Sequence, residues 1–191
     1  MKQYFIDHIS KIQPLSQFAI DFIKERLVVL EAPKNTFLVN YDEVNNKIYF
    51  MFKGLARSIS RYDEKEQTSW LVKENDFVNI VNSFLNQTPS KEAIQVLEDS
   101  VLIYLSYQHL QEIYDTIPET NKIGRLVSEE YLKLYDNRIN DLKHPVVGDR
   151  LRIFIEKYQE FFERVPNKYL ASYLNTTPET ISRILSGKNI S

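Results

Sequence analysis

Cysteine is absent from this 191-residue chain, which excludes disulfides, thiolate zinc sites, cysteine-ligated iron–sulfur clusters and cysteine nucleophiles. Glycine is scarce. Four residues in all leave little scope for a phosphate-cradling loop, and nucleophile-elbow, phosphate-loop and Rossmann glycine patterns are missing. No apolar run approaches the roughly 20 residues of a membrane helix. The opening MKQYFIDHIS lacks the apolar core of a signal peptide, so a cytoplasmic protein with no membrane partner is expected. Charge of one sign is also lacking, since the formal net charge is −2, which argues against a uniformly basic nucleic-acid coat.

What is present is ample core material, 43% hydrophobic residues, enough for one large domain or two small ones. Charge is unevenly placed. From Pro145 onward seven Lys/Arg stand against five Asp/Glu, a net of +2 that leaves −4 for the rest. That is the direction a DNA-binding tail needs, though small enough that phosphate affinity per subunit is modest and salt-dependent. The twelve tyrosines and eleven phenylalanines fall mostly at periodic apolar positions and read as core rather than as base-stacking platforms.

From about Glu31 to Leu105 the pattern is that of strands. TFLV, KIYFMF, LARSIS, SWLV and VLIYLS are rich in aliphatic and aromatic residues, and turn material such as Asn45-Asn46, Lys53-Gly54 and Glu74-Asn75-Asp76 separates them. Short strands at this spacing predict a barrel or roll, with Trp70 as one of its barrel residues and a short helix in VNIVNSFLN. A metal-dependent roll enzyme of the cupin kind would need clustered histidines, and no histidine lies in this stretch. His8, His109 and His144 read as surface or helix-end residues, not haem ligands. No cofactor and no metal is expected.

The flanks are helical. Residues from about Gln3 to Leu30 show helical spacing in Phe18, Phe22 and Ile23, with Pro14 and Ser16 as start signals. From about Pro118 to Lys143 one stripe of Ile123, Val127, Tyr131 and Leu134, widened by Leu126, Tyr135, Ile139 and Leu142, predicts a long helix that packs on the roll and pairs with its twin in a second subunit. His144-Pro145 ends it and offers a hinge. GDRLRIFIEKYQEFFERVP then supplies one further amphipathic helix.

NKYLASYLNTTPETISRILSG, residues 167–187, is the most specific segment. Leu170 and Leu174 bury one short helix, with Ala171 small enough to admit a second. Asn175 suits the left-handed turn that ends it. Thr177 can cap the next helix, Pro178 fits its first position, and Glu179 complements its positive end. Ile181, Ile184 and Leu185 are expected to point inward. Glu179, Ser182, Arg183 and Ser186 fall on the opposite face, at the end of a helix able to enter a major groove. An ordinary αα-hairpin would share the spacing, but the small residue, turn residue, cap and polar face agree with a helix-turn-helix together.

IYFMFKGLARSI, LEDSVLIYLS and RVPNKYLASYLNTTPETISRIL, in this order across nearly the whole chain, resemble the Crp/Fnr family of bacterial transcription regulators. The resemblance implies an α+β chain: an antiparallel β-roll (a double-stranded β-helix, cyclic nucleotide-binding-like) with a leading helix in residues 1–117, a dimerisation helix in 118–144, and a helix-turn-helix domain in 145–191. It also implies a non-enzymatic homodimer zipped along Ile123, Val127, Tyr131 and Leu134. Its partners would be double-stranded DNA at a near-palindromic site and RNA polymerase.

Carried over by position, Glu179 and Arg183 match the family's base-reading residues. A carboxylate can accept from cytosine N4 and a guanidinium can donate to guanine O6 and N7. Thr177 and Thr180 match phosphate-touching positions, and Ser182, Ser186 and Lys188 complete the DNA-facing set. Pro178 stands where many members carry a further base-reading arginine and has no donor to offer.

The effector end departs further from the family. Where cyclic nucleotide-binding members show F-G-E and R-S-A, this chain has Phe77-Val78-Asn79 and Ser90-Lys91-Glu92. Lys91 offers a point charge instead of a two-pronged donor, and nothing replaces the glutamate. The expectation is a degenerate pocket of Phe77, Val78, Asn79, Ser90, Lys91, Val127 and Tyr131 that does not bind cyclic AMP, with an unknown effector or none. The competing reading is a ligand-sensing roll whose helical tail contacts protein rather than DNA.

Overall fold

The structure, a computed structural model, describes residues 1–63 and 65–187. Two four-stranded antiparallel sheets form the roll. One runs β1 (Val28–Ala32), β8 (Ser100–Ser106), β3 (Lys47–Lys53), β6 (Phe77–Val78), and the other β2 (Phe37–Val39), β7 (Glu92–Val96), β4 (Ala56–Tyr62), β5 (Lys65–Val72). Tyr49 and Met51 of β3 enter the roll interior with Ile94, Val96 and Leu102. Phe50 enters a second core with Phe5, Ile23, Ile103 and Ile113. Successive side chains leave opposite faces of a strand, so a sheet covered on both sides reads as the unbroken apolar runs seen in the sequence. Burying a side chain such as Phe50 contributes roughly 1.5–3 kcal/mol.

Scarce glycine is offset by asparagine and aspartate. Asn35, Asp42, Asp63, Asn75, Gln87 and Asn175 have positive φ, and all but Gln87 are of the types that tolerate it best. Gly54, with φ 118°, cannot be replaced in this way, because a Cβ there would lie 2.1 Å from Ser100 Oγ.

Helices α1 (Lys2–Ser10) and α2 (Gln17–Arg26) precede the roll, and Ser16 caps α2 by accepting from Ala19 N at 3.2 Å. The helical lead-in stops earlier than the predicted Leu30. Leu27 is already extended, and Val28 begins β1, which pairs with β8. The β-branched Val28-Val29 pair favours a strand once β8 is there to receive it. The short helix after β6 is α3 (Val81–Asn86). EAIQV, which forms β7, and the helix α4 (Tyr107–Thr116) carry no strong signal in the sequence. The long helix α5 (Glu119–Leu142) spans the predicted range.

After His144-Pro145 the single expected helix is two, α6 (Val147–Lys157) and α7 (Gln159–Arg164), separated at Tyr158 with φ −140° and ψ 47°. The break turns α7 so that Arg164 reaches the roll. Helices α8 (Asn167–Tyr173) and α9 (Pro178–Leu185) complete the described chain. Leu151, Phe154, Phe161, Leu170, Leu174 and Ile181 form a third core that includes Leu55, Leu71 and Leu97 of the roll.

Candidate nucleic-acid and effector sites

The α8–α9 pair has the geometry of a helix-turn-helix. Leu170, Ala171, Leu174 and Ile181 are buried. Asn175 takes φ 57°, and Thr177 Oγ1 accepts from Thr180 N at 3.3 Å with Pro178 in the first turn. Leu185 differs from its expected inward position, being 49% exposed. It lies at the last residue of a helix of eight, past the reach of the core that holds Ile181 and Ile184.

Outward, Glu179, Ser182, Arg183 and Ser186 share a shallow open groove with Asn167 and Pro178. The Glu179 carboxyl is held below its ordinary range by hydrogen bonding to its own amide and to Thr177, so it is an acceptor at neutral pH. Thr177 and Thr180 sit with hydroxyls 3.2 Å apart and serve the cap. Lys188 lies outside the described residues.

The C-terminal helices are fastened to the roll by directional contacts. Ser172 Oγ donates to Thr68 Oγ1 at 2.8 Å, and Gln67 Nε2 donates to Asn175 Oδ1 at 3.1 Å. The buried Arg57 guanidinium stacks 3.6 Å from the Tyr169 ring and donates to Gln95 and Glu66. Arg164 donates to Glu74 at 2.9 Å, to Glu98 at 2.5 Å and to the Gly54 carbonyl at 3.2 Å. Burial acts to raise Glu74, but hydrogen bonds from Arg164 and from the Gly54 amide outweigh it and hold the carboxyl at about 2. Arg138 of α5 stacks on Tyr173 at 3.4 Å and donates to its carbonyl. Sequence patterning gave no sign of this seam, because each contact joins residues far apart in the chain.

Five of the seven predicted effector-pocket residues come together. Phe77, Val78, Asn79, Val127 and Tyr131 border a groove of about 520 Å³ between the roll and α5. Ser90 and Lys91 do not border it. Ser90 is buried, its hydroxyl bonded to both the carbonyl and the amide of Glu92, and Lys91 is exposed. The backbone expected to hold a nucleotide is already engaged. The Phe77 amide donates to Tyr131 Oη at 2.6 Å, Tyr131 Oη donates back to the Phe77 carbonyl at 2.8 Å, and the Ile80 amide donates to Asn45 Oδ1 at 2.6 Å. Trp70, expected as a barrel residue, stacks on Tyr135 of α5 with ring centroids 4.5 Å apart and borders the same groove.

The predicted dimer stripe is largely occupied within its own chain. Ile123 is in the core with Ile113 and Phe5, Tyr131 is bonded to Phe77, and Val127 and Leu134 are half-buried. Helix α5 also leaves Leu132 (70% exposed) and Ile139, one of the residues that widen the stripe (54% exposed), facing outward. One position along a helix rotates the face by about 100°, which periodicity alone could not resolve in a helix with apolar residues at so many adjoining positions.

Residues 29–116 match the cyclic nucleotide-binding domain family. No curated protein matches the chain by sequence. Among solved structures, FixK2 of Bradyrhizobium japonicum is 16% identical over 84% of this chain and 83% of that one, with a TM-score of 0.70. CLP of Xanthomonas campestris, described as a c-di-GMP responsive global regulator, is 17% identical over 90% and 91%, with a TM-score of 0.69. A putative Crp/Fnr family transcriptional regulator of Eubacterium rectale is 15% identical over 91% and 83%, with a TM-score of 0.70. At these identities the likeness is one of fold. The chain has the architecture of Crp/Fnr regulators, as the resemblance in its sequence implies.

Proposed function

We propose that this protein is a homodimeric, DNA-binding transcription regulator whose cyclic nucleotide pocket has lost its nucleotide chemistry. The observation that carries the reading is the α9 surface: a capped helix, anchored by Ile181, presents Glu179, Ser182, Arg183 and Ser186 together on an open groove. Arginine and glutamate at the start of such a helix are suited to guanine and cytosine edges. The exposed Leu132 and Ile139 of α5 supply apolar surface for a second copy, so two reading helices would meet a two-fold site. Cyclic AMP is not the effector. Tyr131 occupies the Phe77 backbone, and the pocket lacks the glycine, glutamate and arginine that would hold ribose and phosphate.

Selection of bound duplexes from a random DNA pool at low salt tests the reading. The expected result is a two-fold symmetric consensus with half-sites about one helical turn apart. Arg183→Ala should weaken binding to it by about 1–3 kcal/mol and relax the preference at one base pair. A monomer that retains no duplex, or a variant indistinguishable from the parent, overturns it.

A further inference from the structure

Behind the groove lies a second, inner space. A partly open cavity of about 120 Å³ lies between the outer face of the β1-β8-β3-β6 sheet and the helices α1, α2, α4 and α5, with Ile9, Ile23, Phe50, Ile103, Ile113 and Ile123 on its walls. Well-packed cores seldom keep a void much larger than a water molecule. An apolar void of about 150 Å³ stays dry and admits benzene, so this one is of the size and chemistry to take a small ring or a short alkyl group.

Its neck, the part that borders both the inner cavity and the outer groove, includes Tyr114, Gly124, Val127 and Ser128 on the helices and Ile48 and Phe77 on the sheet. Gly124 sits inside α5, where glycine costs about 1 kcal/mol relative to alanine, in a chain with only four glycines. The close approach of Tyr114 accounts for it: a Cβ at position 124 would lie 2.3 Å from Tyr114 Oη. Among the described residues that hydroxyl makes no hydrogen bond; Tyr114 is half-buried and its hydroxyl is not sealed from solvent, so it is free to meet an incoming ligand. Burial raises its pKa, so it remains a donor at neutral pH.

We propose that this cavity is an effector site for a small amphipathic molecule, with a benzene-sized or short alkyl group in the apolar chamber and an oxygen acceptor at the neck against Tyr114 Oη. The cavity walls carry no cationic side chain to pair with a phosphate. A ligand lodged there would press on Ile123 and Val127 and so bear on the position of α5. The word effector rests on the regulatory reading above. Occupancy does not, and it is tested without DNA.

The experiment measures thermal melts and methyl NMR spectra of the full chain with benzene, phenylacetate or hexanoate, and with cyclic AMP as the contrasting probe. At about ten times the Kd a bound probe should raise Tm by about 3–6 °C, and the methyl signals of Ile113, Ile123 and Val127 should move. Tyr114→Phe keeps the ring and removes only the donor, so it should weaken phenylacetate by about 5-fold while leaving benzene unchanged. Ile113→Phe fills the chamber and should abolish both effects in a protein that still melts cooperatively. The proposal is overturned if none of the three apolar probes shifts Tm or the methyl signals at millimolar concentration. It is equally overturned if Tyr114→Phe binds both aromatic probes as the parent does, or if a folded Ile113→Phe responds undiminished.

Discussion

The roll is gripped on two sides by seams of opposite character. On the β1-β8-β3-β6 side, α1, α2, α4 and α5 adhere through aliphatic and aromatic residues, and the packing leaves a chamber. On the other side a small apolar patch of Leu55, Leu71 and Leu97 is bordered by Arg57, which stacks on Tyr169, and by Thr68, Lys73, Glu74 and Glu98, each bonded to a partner in the C-terminal helices. Apolar adhesion is non-directional, and on this side the Tyr131 hydroxyl, bonded to the Phe77 amide and carbonyl, adds a directional tie for α5. Hydrogen-bonded ion pairs hold only in one register. The first seam is mainly non-directional burial, and the second is a set of directional ties that hold the C-terminal helices in place relative to the roll.

Three measurements would sharpen or break this contrast. Phe50→Ala, in the apolar seam, should cost about 3–5 kcal/mol and lower the denaturant midpoint of the whole molecule in one cooperative transition. An effect under 1 kcal/mol would mean that this seam does not carry the fold. Arg164→Ala, in the polar seam, should cost less, about 1–3 kcal/mol given its partial exposure, and should act locally. Amides of α8 should exchange hydrogen faster while those of β3 and β8 keep their protection. Uniform loss of protection would show the two seams to be one unit.

The smallest effect expected is in pH dependence, where two carboxyls flanking Asn75 report on the two sides with opposite sign. Glu74, held at about 2, contributes stability that is complete above its ordinary value near 4.5 and is lost as pH falls from there through 2. Asp76 is raised to about 6, chiefly by burial, and its charge is felt by Tyr131 of α5. A raised carboxyl binds its proton more tightly in the fold, so its penalty is present above pH 6 and is relieved as pH falls through 6 toward 4. Tm should rise slightly between pH 6 and 4.5 and then fall. Asp76→Asn should abolish the rise and leave the fall.

The legible parts of the sequence were those governed by neighbours along the chain. Asn175, Thr177 and Pro178 specified a turn and a helix start because αL tolerance, side-chain capping and a fixed φ act within four residues. Runs such as KIYFMF and VLIYLS marked strands, and the 118–143 periodicity marked α5. Weaker elements escaped. β1 sat inside helical spacing until β8 received it, Glu92 and Gln95 interrupt the apolar run of β7, and nothing local at Tyr158 announced the break between α6 and α7. The candidate site was legible in part: the α9 face by residue type, and the groove by Phe77, Val78, Asn79, Val127 and Tyr131 but not by Ser90 and Lys91, which fall outside it.

The sequence by itself thus determined the inventory: a roll, a long helix, a capped short helix with a polar face, and the side chains that stand at Phe77-Val78-Asn79 and Ser90-Lys91-Glu92. Tertiary structure alone decided which face of α5 is used, since Tyr131 turns to Phe77 while Leu132 and Ile139 stay outside. It also decided that Arg164 bridges Glu74 and Glu98, and that Tyr114 meets Gly124 at the neck of a cavity. The reason is physical. Propensity, capping and periodicity are short-range along the chain, whereas burial, voids and ion pairs depend on which distant segments the fold brings within a few ångströms.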